Sequence, residues 1–337
     1  MRRQQSETSS DFINAKIRGM RSRLFEAERL SALTESRTLP ELFRRLYPTE
    51  TFEGHMQFES HVVRDSIRQL DRVLGCLSGP TFSLFEWLMV GFEVENIKVA
   101  MRCYVARENR TEAQALMIPL PRWMTLPADA MFDAQDLAHF VRGIPEPHLQ
   151  LGMSSFVRRA AKPDPFSLDM ALDQTYLRRL KYLAAQADEW PRKLAGFDMG
   201  RRDLLLLLRA RFNFHRNYAD VLPYLTHAVS FLGPHTAQQI FDAADLQEAT
   251  RRIPDTVIPA DQREGTVSLT RLEDLLLLQQ YRLAVRCFTE SVLDHAAAVA
   301  YFYMKQIETI NLIRLTESIR HSLPREEVES MLLKRTR

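Results

Sequence analysis

Apolar residues recur along this chain with the period of an α-helix, and the alternation that is typical of a β-strand is missing. Most prolines fall between the periodic segments, where they are expected to mark connections. The pattern predicts helices at residues 9–34, 38–46, 55–77, 82–108, 134–142, 167–187, 199–217, 236–252, 268–289, 292–320 and 324–333. The sequence therefore predicts an all-α protein.

Three of these predicted helices are apolar around their whole circumference. Residues 204–208 are five consecutive leucines, and at about 100° per residue they face every direction. Residues 87–90 and 299–304 are apolar in the same way. Because such a helix must be packed on every side, we expect three inner helices, each partnered by an outer amphipathic helix such as 268–289.

One short polar residue recurs in the three inner helices, with aliphatic residues just after it and an arginine further on. The steps between the copies are 107 and 108 residues, and the copies are Asn96, Asp203 and Asn311. A second landmark, the end of a short helical pattern, keeps nearly the same spacing at Leu46, Ile144 and Ile253. A repeat of this length is too long for a solenoid and long enough for a small helical unit.

The repeat predicts three similar helical units, at residues 1–115, 116–218 and 219–337, around a pseudo-threefold axis. The inner helices also carry charged residues, which are rarely buried unless they are paired. These are Glu95, Lys98, Arg102, Asp203, Arg209, Arg211, Glu308 and Arg314. Either they pair across helices inside a solid core, or they line a polar hollow along the axis, and the periodicity leaves both arrangements open.

Composition narrows the class of function. Of the 337 residues 45% are hydrophobic and 26% are charged, which allows a substantial core. The formal net charge of only +2 argues against non-specific nucleic-acid binding. Three widely separated cysteines predict a reduced compartment. Since no run approaches the roughly 18 apolar residues of a membrane-spanning helix, and no secretory leader is expected, the sequence predicts a soluble, intracellular polypeptide.

Motifs that usually carry reaction chemistry are missing. The glycine-containing stretch 75–79 lacks the Lys-Ser/Thr ending of a phosphate-binding loop, and no Glu-x-x-His or His-Glu-x-x-His spacing supplies metal ligands. We therefore expect no catalytic residue, no cofactor and no metal site, and a function in binding other proteins. The alternative is an all-helical enzyme with a site in the central cavity, built from Glu95, Asp203 and Glu308.

Several stretches resemble one known family. Phe12–Phe25 (FINAKIRGMRSRLF) resembles the amino-terminal opening of the C subunit of V-type and archaeal-type (A-type) ATPases, whose eukaryotic counterpart is the d subunit. Ala298–Arg320 (AVAYFYMKQIETINLIRLTESIR) is similar to that family's carboxy-terminal signature. The stretches FEVENIKVAMRCYVAR and RRDLLLLLRARFNF look like internal copies of the same helix. The resemblance spans essentially the whole chain and keeps the threefold period.

The resemblance implies a mechanical role. As a member of this family, the chain would form a funnel at the cytoplasmic, inner face of the plasma membrane. The funnel would sit on the membrane rotor ring and receive the central stalk. It would be peripheral to the membrane through the ring. The charge balance and the short apolar runs lead us to expect no nucleic-acid partner and no transmembrane segment. ATP synthesis or hydrolysis and ion transport, including proton transport, would occur in other subunits, so this chain would couple the stalk to the ring without catalysing a reaction.

The resemblance also marks candidate residues. Asn96, Asp203 and Asn311 match the family's repeated polar position, and the basic position nearby is matched by Arg102, Arg209 and Arg314. The residues expected to line the funnel or form an interface are Glu95, Asn96, Arg102, Asp203, Arg209, Glu308, Asn311 and Arg314.

Two features depart from the family pattern. Residues 117–147 resemble no family segment, and His321-Ser322 replaces the usual glycine-basic ending of the last helix. A further alternative is a generic helical adaptor that binds proteins outside rotary machines. The sequence does not indicate whether protons or sodium ions are moved, or which face docks on the ring.

Overall fold

The computed structural model describes residues 10–107, 109–160, 163–226, 231–263, 268–291 and 295–334. Helices make up 74% of these described residues, and no strand occurs among them, so the all-α prediction is confirmed. None of the described helices is long and apolar enough to cross a membrane.

The α-helices are named in chain order. They are α1 (Ser10–Arg21), α2 (Ala27–Leu33), α3 (Leu39–Leu46), α4 (His55–Leu74), α5 (Gly79–Ala106), α6 (Arg110–Leu116), α7 (Ala128–Phe132), α8 (Leu137–Arg142), α9 (Pro147–Arg159), α10 (Pro165–Gln186), α11 (Glu189–Phe212), α12 (Tyr218–Val221), α13 (Pro234–Phe241), α14 (Leu246–Arg251), α15 (Leu269–Glu290), α16 (Ala296–Arg320) and α17 (Arg325–Met331). Two short 3₁₀ helices cover Leu222–Tyr224 and Ala260–Arg263.

The chain divides into two compact units. The first combines Met1–Thr81 with Asp274–Arg337, and the second is Phe82–Glu273. The divisions fall inside α5 and α15. The three units predicted from the repeat, with boundaries after residues 115 and 218, stay a prediction, as does their arrangement around a pseudo-threefold axis.

Helix α16 forms the centre of the first unit. It packs against α1, α3, α4 and α17, and its residues from Ala296 to Lys305 are all buried. A cluster of aliphatic and aromatic side chains from α2, α3, α4 and α17 covers its carboxy-terminal half, where the rings of Phe43 and Phe58 stack 4.1 Å apart. The expectation that the apolar run 299–304 is packed on every side is confirmed.

In the second unit, α10 packs against both α9 and α11. Four of the five consecutive leucines of α11 are buried, and only Leu206 is half-buried. Gly152 of α9 allows a close approach to Thr175 of α10, because a Cβ atom at Gly152 would lie 2.3 Å from Thr175 Cγ2. A residue with no side chain therefore sets the spacing of these two helices.

The continuous helix predicted at 9–34 is wrong, because α1 ends at Arg21 and α2 begins at Ala27. Residue 9 itself lies outside the described residues. Two hydrogen bonds hold the bend: the Phe25 N–H donates to Glu308 Oε1 (2.7 Å), and the Tyr281 hydroxyl donates to Glu26 Oε1 (2.7 Å). The bend thus depends on contacts from residues distant in sequence, which helix periodicity does not report.

The expectation that prolines mark connections also fails at several helix starts. Pro147 and Pro165 begin α9 and α10, and Pro191 lies in the first turn of α11. The first-turn N–H groups of a helix have no partner within it, so proline removes no hydrogen bond there. For this reason α9 is absent from the predicted helices, and α11 begins at Glu189 instead of residue 199.

Two other predicted helices differ from the observed ones. The segment predicted at 236–252 is two helices, α13 and α14, and the helix predicted at 292–320 is observed from Ala296. Residues 292–294 lie outside the described residues.

Candidate functional site: the repeated polar positions

Two of the repeated polar residues bind the backbone of a residue 22 positions downstream. Asn96 Nδ2 donates to the Ile118 carbonyl at 2.8 Å, and Asn96 Oδ1 accepts from the Ile118 N–H at 2.7 Å. Asn311 makes the same pair of bonds with Leu333, at 2.9 and 2.8 Å. Each asparagine thus satisfies both backbone groups of one residue. We call a side chain of the repeated position that holds a downstream residue in this way a backbone clamp.

The middle clamp uses an aspartate for a different set of partners. Both carboxylate oxygens of Asp203 lie 3.1 Å from the Thr226 backbone nitrogen, and Oδ2 accepts from the Thr226 hydroxyl at 2.5 Å, across 23 positions. A carboxylate accepts only, and Thr226 presents two donors, whereas Ile118 and Leu333 each present one donor and one acceptor. The choice of Asp or Asn at the repeated position therefore follows from its partner.

The clamps close similar loops. After each inner helix the chain turns, forms a short helix and then reaches the clamped residue; the short helices are α6, α12 and α17. A residue with positive φ follows the end of each inner helix: Arg107 (54°), His215 (51°) and Ser322 (53°). Because a similar turn and a clamp recur three times, the repeat found in the sequence corresponds to a repeated structural element.

Each arginine at the repeated basic position pairs with a carboxylate on another helix. Arg102 lies 2.6 Å from Asp169, Arg209 lies 2.8 Å from Glu273, and Arg314 lies 2.5 Å from Asp274. The arginine side chains are 55%, 47% and 21% exposed. Pairing across helices is therefore observed at all three, although the two pairs with half-exposed arginines, Arg102–Asp169 and Arg209–Glu273, contribute only about 0–1 kcal/mol each.

A more buried ion cluster lies between α5 and α10. Lys98, whose side chain is 10% exposed, lies 3.1 Å from Glu95 Oε1 and 2.7 Å from Asp173 Oδ1. The Glu95 side chain is 48% exposed. Since a buried ammonium needs compensating charge, the two carboxylates hold Lys98 in place between the helices.

A glutamate lies three residues before the polar residue in two of the repeats. In α16, Glu308 Oε1 accepts from the Phe25 N–H and Oε2 accepts from Lys305 Nζ. In α5, Glu93 is only 4% exposed, and its Oε1 has no hydrogen-bond partner in the described part of the chain. Burial raises the pKa of Glu93 to about 7, with a smaller contribution from the nearby charge of Glu146. Glu93 therefore holds its proton up to near-neutral pH.

These positions bind the protein's own groups. Asp203 and Glu308 are engaged through both carboxylate oxygens by donors of the same chain. Within the described ranges, no group of three or more His, Cys, Asp or Glu side chains is placed to hold a metal ion. The arrangement thus fits a structural role for the polar residues, and the expectation that the eight candidate residues line a funnel or an interface stays a prediction.

The partners of these residues have no distinctive signal in the sequence. The clamped residues Ile118, Thr226 and Leu333 share no residue type, so only their nearly constant distance from the polar residue could have pointed to them. Glu93 also carried a signal, because it occupies the same place relative to Asn96 as Glu308 does relative to Asn311.

Comparison with known proteins gives a consistent result over nearly the whole chain. A family model described as ATP synthase (C/AC39) subunit matches residues 13–331. A protein of Methanosphaera stadtmanae, named as the C subunit of an A-type ATP synthase, is 23% identical over 349 aligned positions, which cover 95% of this chain and 86% of that protein. A protein of the same name from Methanocaldococcus jannaschii is 20% identical over 346 positions, covering 96% and 86%.

Proposed function

Because the chain belongs to the ATP synthase (C/AC39) subunit family, we propose that it is the non-catalytic coupling subunit of a rotary ATPase of the V/A type. In this role it joins the rotating central stalk to the membrane rotor ring. It transmits rotation during ATP-driven ion transport or ion-driven ATP synthesis, while the chemical steps take place in other subunits.

The observation that carries the proposal is the backbone clamp in three copies along a chain that matches the family from residue 13 to 331. A coupling part must transmit torque without winding up, so the segments that follow its long helices have to be held firmly. Close-packed helices are stiff because their interiors are as dense as organic crystals. The clamps extend that stiffness to the segments beyond the helix ends.

We further propose a shape for the chain and a position for it in the ATPase. Three helical units around a pseudo-threefold axis would form a funnel, with its base on the rotor ring and the stalk in its opening. The chain would then be peripheral to the inner membrane face through the ring. Docking on the ring would use the repeat-end loops near Pro48, Pro145 and Pro254 or the opposite helix ends.

Co-purification tests the proposed function. The full chain, carrying an affinity tag and expressed in its own cells, is captured after mild detergent extraction, and bound proteins are identified by mass spectrometry. We expect central-stalk and rotor-ring subunits of one ATPase in the eluate at near-stoichiometric amounts. Capture of unrelated proteins without ring or stalk subunits would show that the chain is an adaptor of another kind.

The proposed stalk contact is tested at Arg209, which is half-exposed and paired with Glu273. Arg209→Glu should lower capture of the stalk if the arginine faces it. Arg142→Glu, the same charge change at an exposed position of α8, is the control. The double variant R209E/E273R reverses the ion pair. If this double variant captures the stalk normally, the pair supports folding and Arg209 does not contact the stalk. Unchanged capture by a folded R209E chain leads to the same rejection.

A further inference from the structure

The bend between α1 and α2 borders a shallow cavity of about 390 Å³ in the first unit, and this cavity is widely open to solvent. Its lining includes three arginines, Arg18, Arg21 and Arg29, the carboxylate of Glu26 and the ring of Phe288. Neither the clamps nor the ion pairs described above involve this cavity.

The charges in the cavity do not cancel. Three arginines and a single carboxylate, Glu26, line it; Glu26 already accepts from the Tyr281 hydroxyl at 2.7 Å and lies 3.6 Å from Arg21 Nε. The lining therefore has a net charge of two positive units. Like charges that line one site repel one another, and an anion bound there relieves the repulsion.

The guanidinium groups are held in position by contacts that leave donors for a ligand. Arg18 Nη2 donates to the Ser291 carbonyl at 3.0 Å, and Arg29 Nη1 donates to the Ser22 carbonyl at 2.8 Å. Arg18 and Arg21 also lie over the Phe288 ring, 5.3 and 4.4 Å from its centre. A cation–π contact uses the guanidinium face, and each guanidinium has five N–H donors along its edges.

From this geometry we infer that the cavity is a binding site for a phosphate group, either of a free phosphate or polyphosphate ion or of a small phosphate ester. Two net positive charges match a phosphate dianion, and arginine forks suit its oxygens. The volume leaves room beyond one phosphate group for a second phosphate or for the organic part of an ester. This inference is independent of the coupling role.

Binding is measured on the purified full chain by isothermal titration calorimetry, with thermal unfolding as a second readout. The probes are inorganic phosphate, pyrophosphate and glycerol 3-phosphate, each against sodium chloride of equal ionic strength. We expect saturable binding with one site per chain and a rise in melting temperature that chloride does not reproduce. Tighter binding of pyrophosphate identifies polyphosphate as the ligand class, and tighter binding of glycerol 3-phosphate identifies a monoester.

Variants that replace an arginine of the site by uncharged glutamine test the assignment of the site. Arg18→Gln and Arg21→Gln should each weaken binding about tenfold or more, since each removes charge-assisted hydrogen bonds. Arg142→Gln, at an exposed position of the second unit, should bind like the unchanged chain. Arg18 is exposed, so R18Q keeps the test valid if R21Q does not fold. Shifts that do not saturate, that chloride reproduces, or that persist in R18Q would overturn the inference.

Discussion

Asn311 and Leu333 are joined by two hydrogen bonds across 22 residues, one in each direction: the Asn311 amide donates to the Leu333 carbonyl, and its oxygen accepts from the Leu333 N–H. Both residues are buried, at 2% and 5% exposure. One side chain thus satisfies a donor and an acceptor that have little access to water, and it ties the chain beyond α17 to the middle of α16.

Replacing Asn311 by alanine should lower the free energy of unfolding by about 2–4 kcal/mol, because it leaves both backbone groups of Leu333 buried without this partner. Urea denaturation measures the change. Asn213→Ala is the matched control, since Asn213 is exposed, and it should change stability by less than about 0.5 kcal/mol. Equal effects at the two asparagines would show that the clamp does not hold the chain.

Ser322→Gly should stabilise the protein by about 0.5–1 kcal/mol, because Ser322 has a φ of 53°, a left-handed conformation that costs about 1–2 kcal/mol for a residue with a Cβ. It follows α16 in a turn whose hydrogen bonds, Leu323 N–H to Ser318 O and Ser322 N–H to Ile319 O, are those of a helix end that prefers glycine.

The same substitution inside a helix provides the control for Ser322. Ser154→Gly in α9 should destabilise by about 0.5 kcal/mol, because glycine is a poor helix former. Thermal and urea unfolding of both variants gives the comparison. A loss of stability in Ser322→Gly would contradict the strained turn.

Gly152→Ala should destabilise by about 1–3 kcal/mol, although alanine favours helix, because the new Cβ would lie 2.3 Å from Thr175 Cγ2 and 2.5 Å from Thr175 Oγ1. The second change Thr175→Ala removes both close atoms and should recover most of the loss. A double-mutant cycle by urea denaturation measures this coupling.

Gly19→Ala in α1 is the control for the crowding at Gly152. A Cβ at Gly19 meets nothing within 4 Å, so alanine there should stabilise by about 0.5–1 kcal/mol. If Gly152→Ala were equally stabilising, α9 and α10 would not depend on a glycine for their packing.

Glu93→Gln should change how stability depends on pH. The pKa of Glu93 is raised from 4.5 to about 7, so the folded chain binds a proton between these values that the unfolded chain releases. Stability from this group is therefore greatest below pH 4.5 and is lost as pH rises to about 7. Glutamine carries no such charge, so above pH 7 the variant should exceed the unchanged chain in stability, by up to roughly 3 kcal/mol.

The contribution of Glu93 is the difference in the pH dependence of stability between Glu93→Gln and the unchanged chain. Burial and a hydrogen bond with Glu317 also raise the pKa of Glu59 to about 7, so the unchanged chain alone does not isolate Glu93. Unfolding free energies at pH 5 and pH 8 for both proteins give the Glu93 contribution. An identical pH dependence in Glu93→Gln would show that the buried carboxyl is not the titrating group.

Periodicity was sufficient to predict the helices that are packed on all sides, because a run such as 204–208 has no polar face to turn to water. It also located the repeated residues Asn96, Asp203 and Asn311. It failed at the bend between α1 and α2, where the chain direction depends on Glu308 and Tyr281, more than 250 positions away. A contact of that range has no local signature in the sequence.

The partners in the candidate site lack a sequence signal for a related reason. A clamp binds backbone atoms, which every residue carries, so Ile118 and Leu333 show no characteristic side chain. The carboxylates that pair with the arginines, such as Asp169 and Glu273, have no distinguishing feature in the sequence. Only the packing of the helices brings them near the arginines.

The most direct test of the coupling role measures ATP hydrolysis and ATP-driven ion uptake in the same membrane vesicles, prepared from cells with and without this chain. We expect vesicles that lack the chain to retain hydrolysis by the catalytic subunits but to lose ion uptake, and added purified chain to restore uptake. Ion uptake at the full rate without the chain would contradict the account.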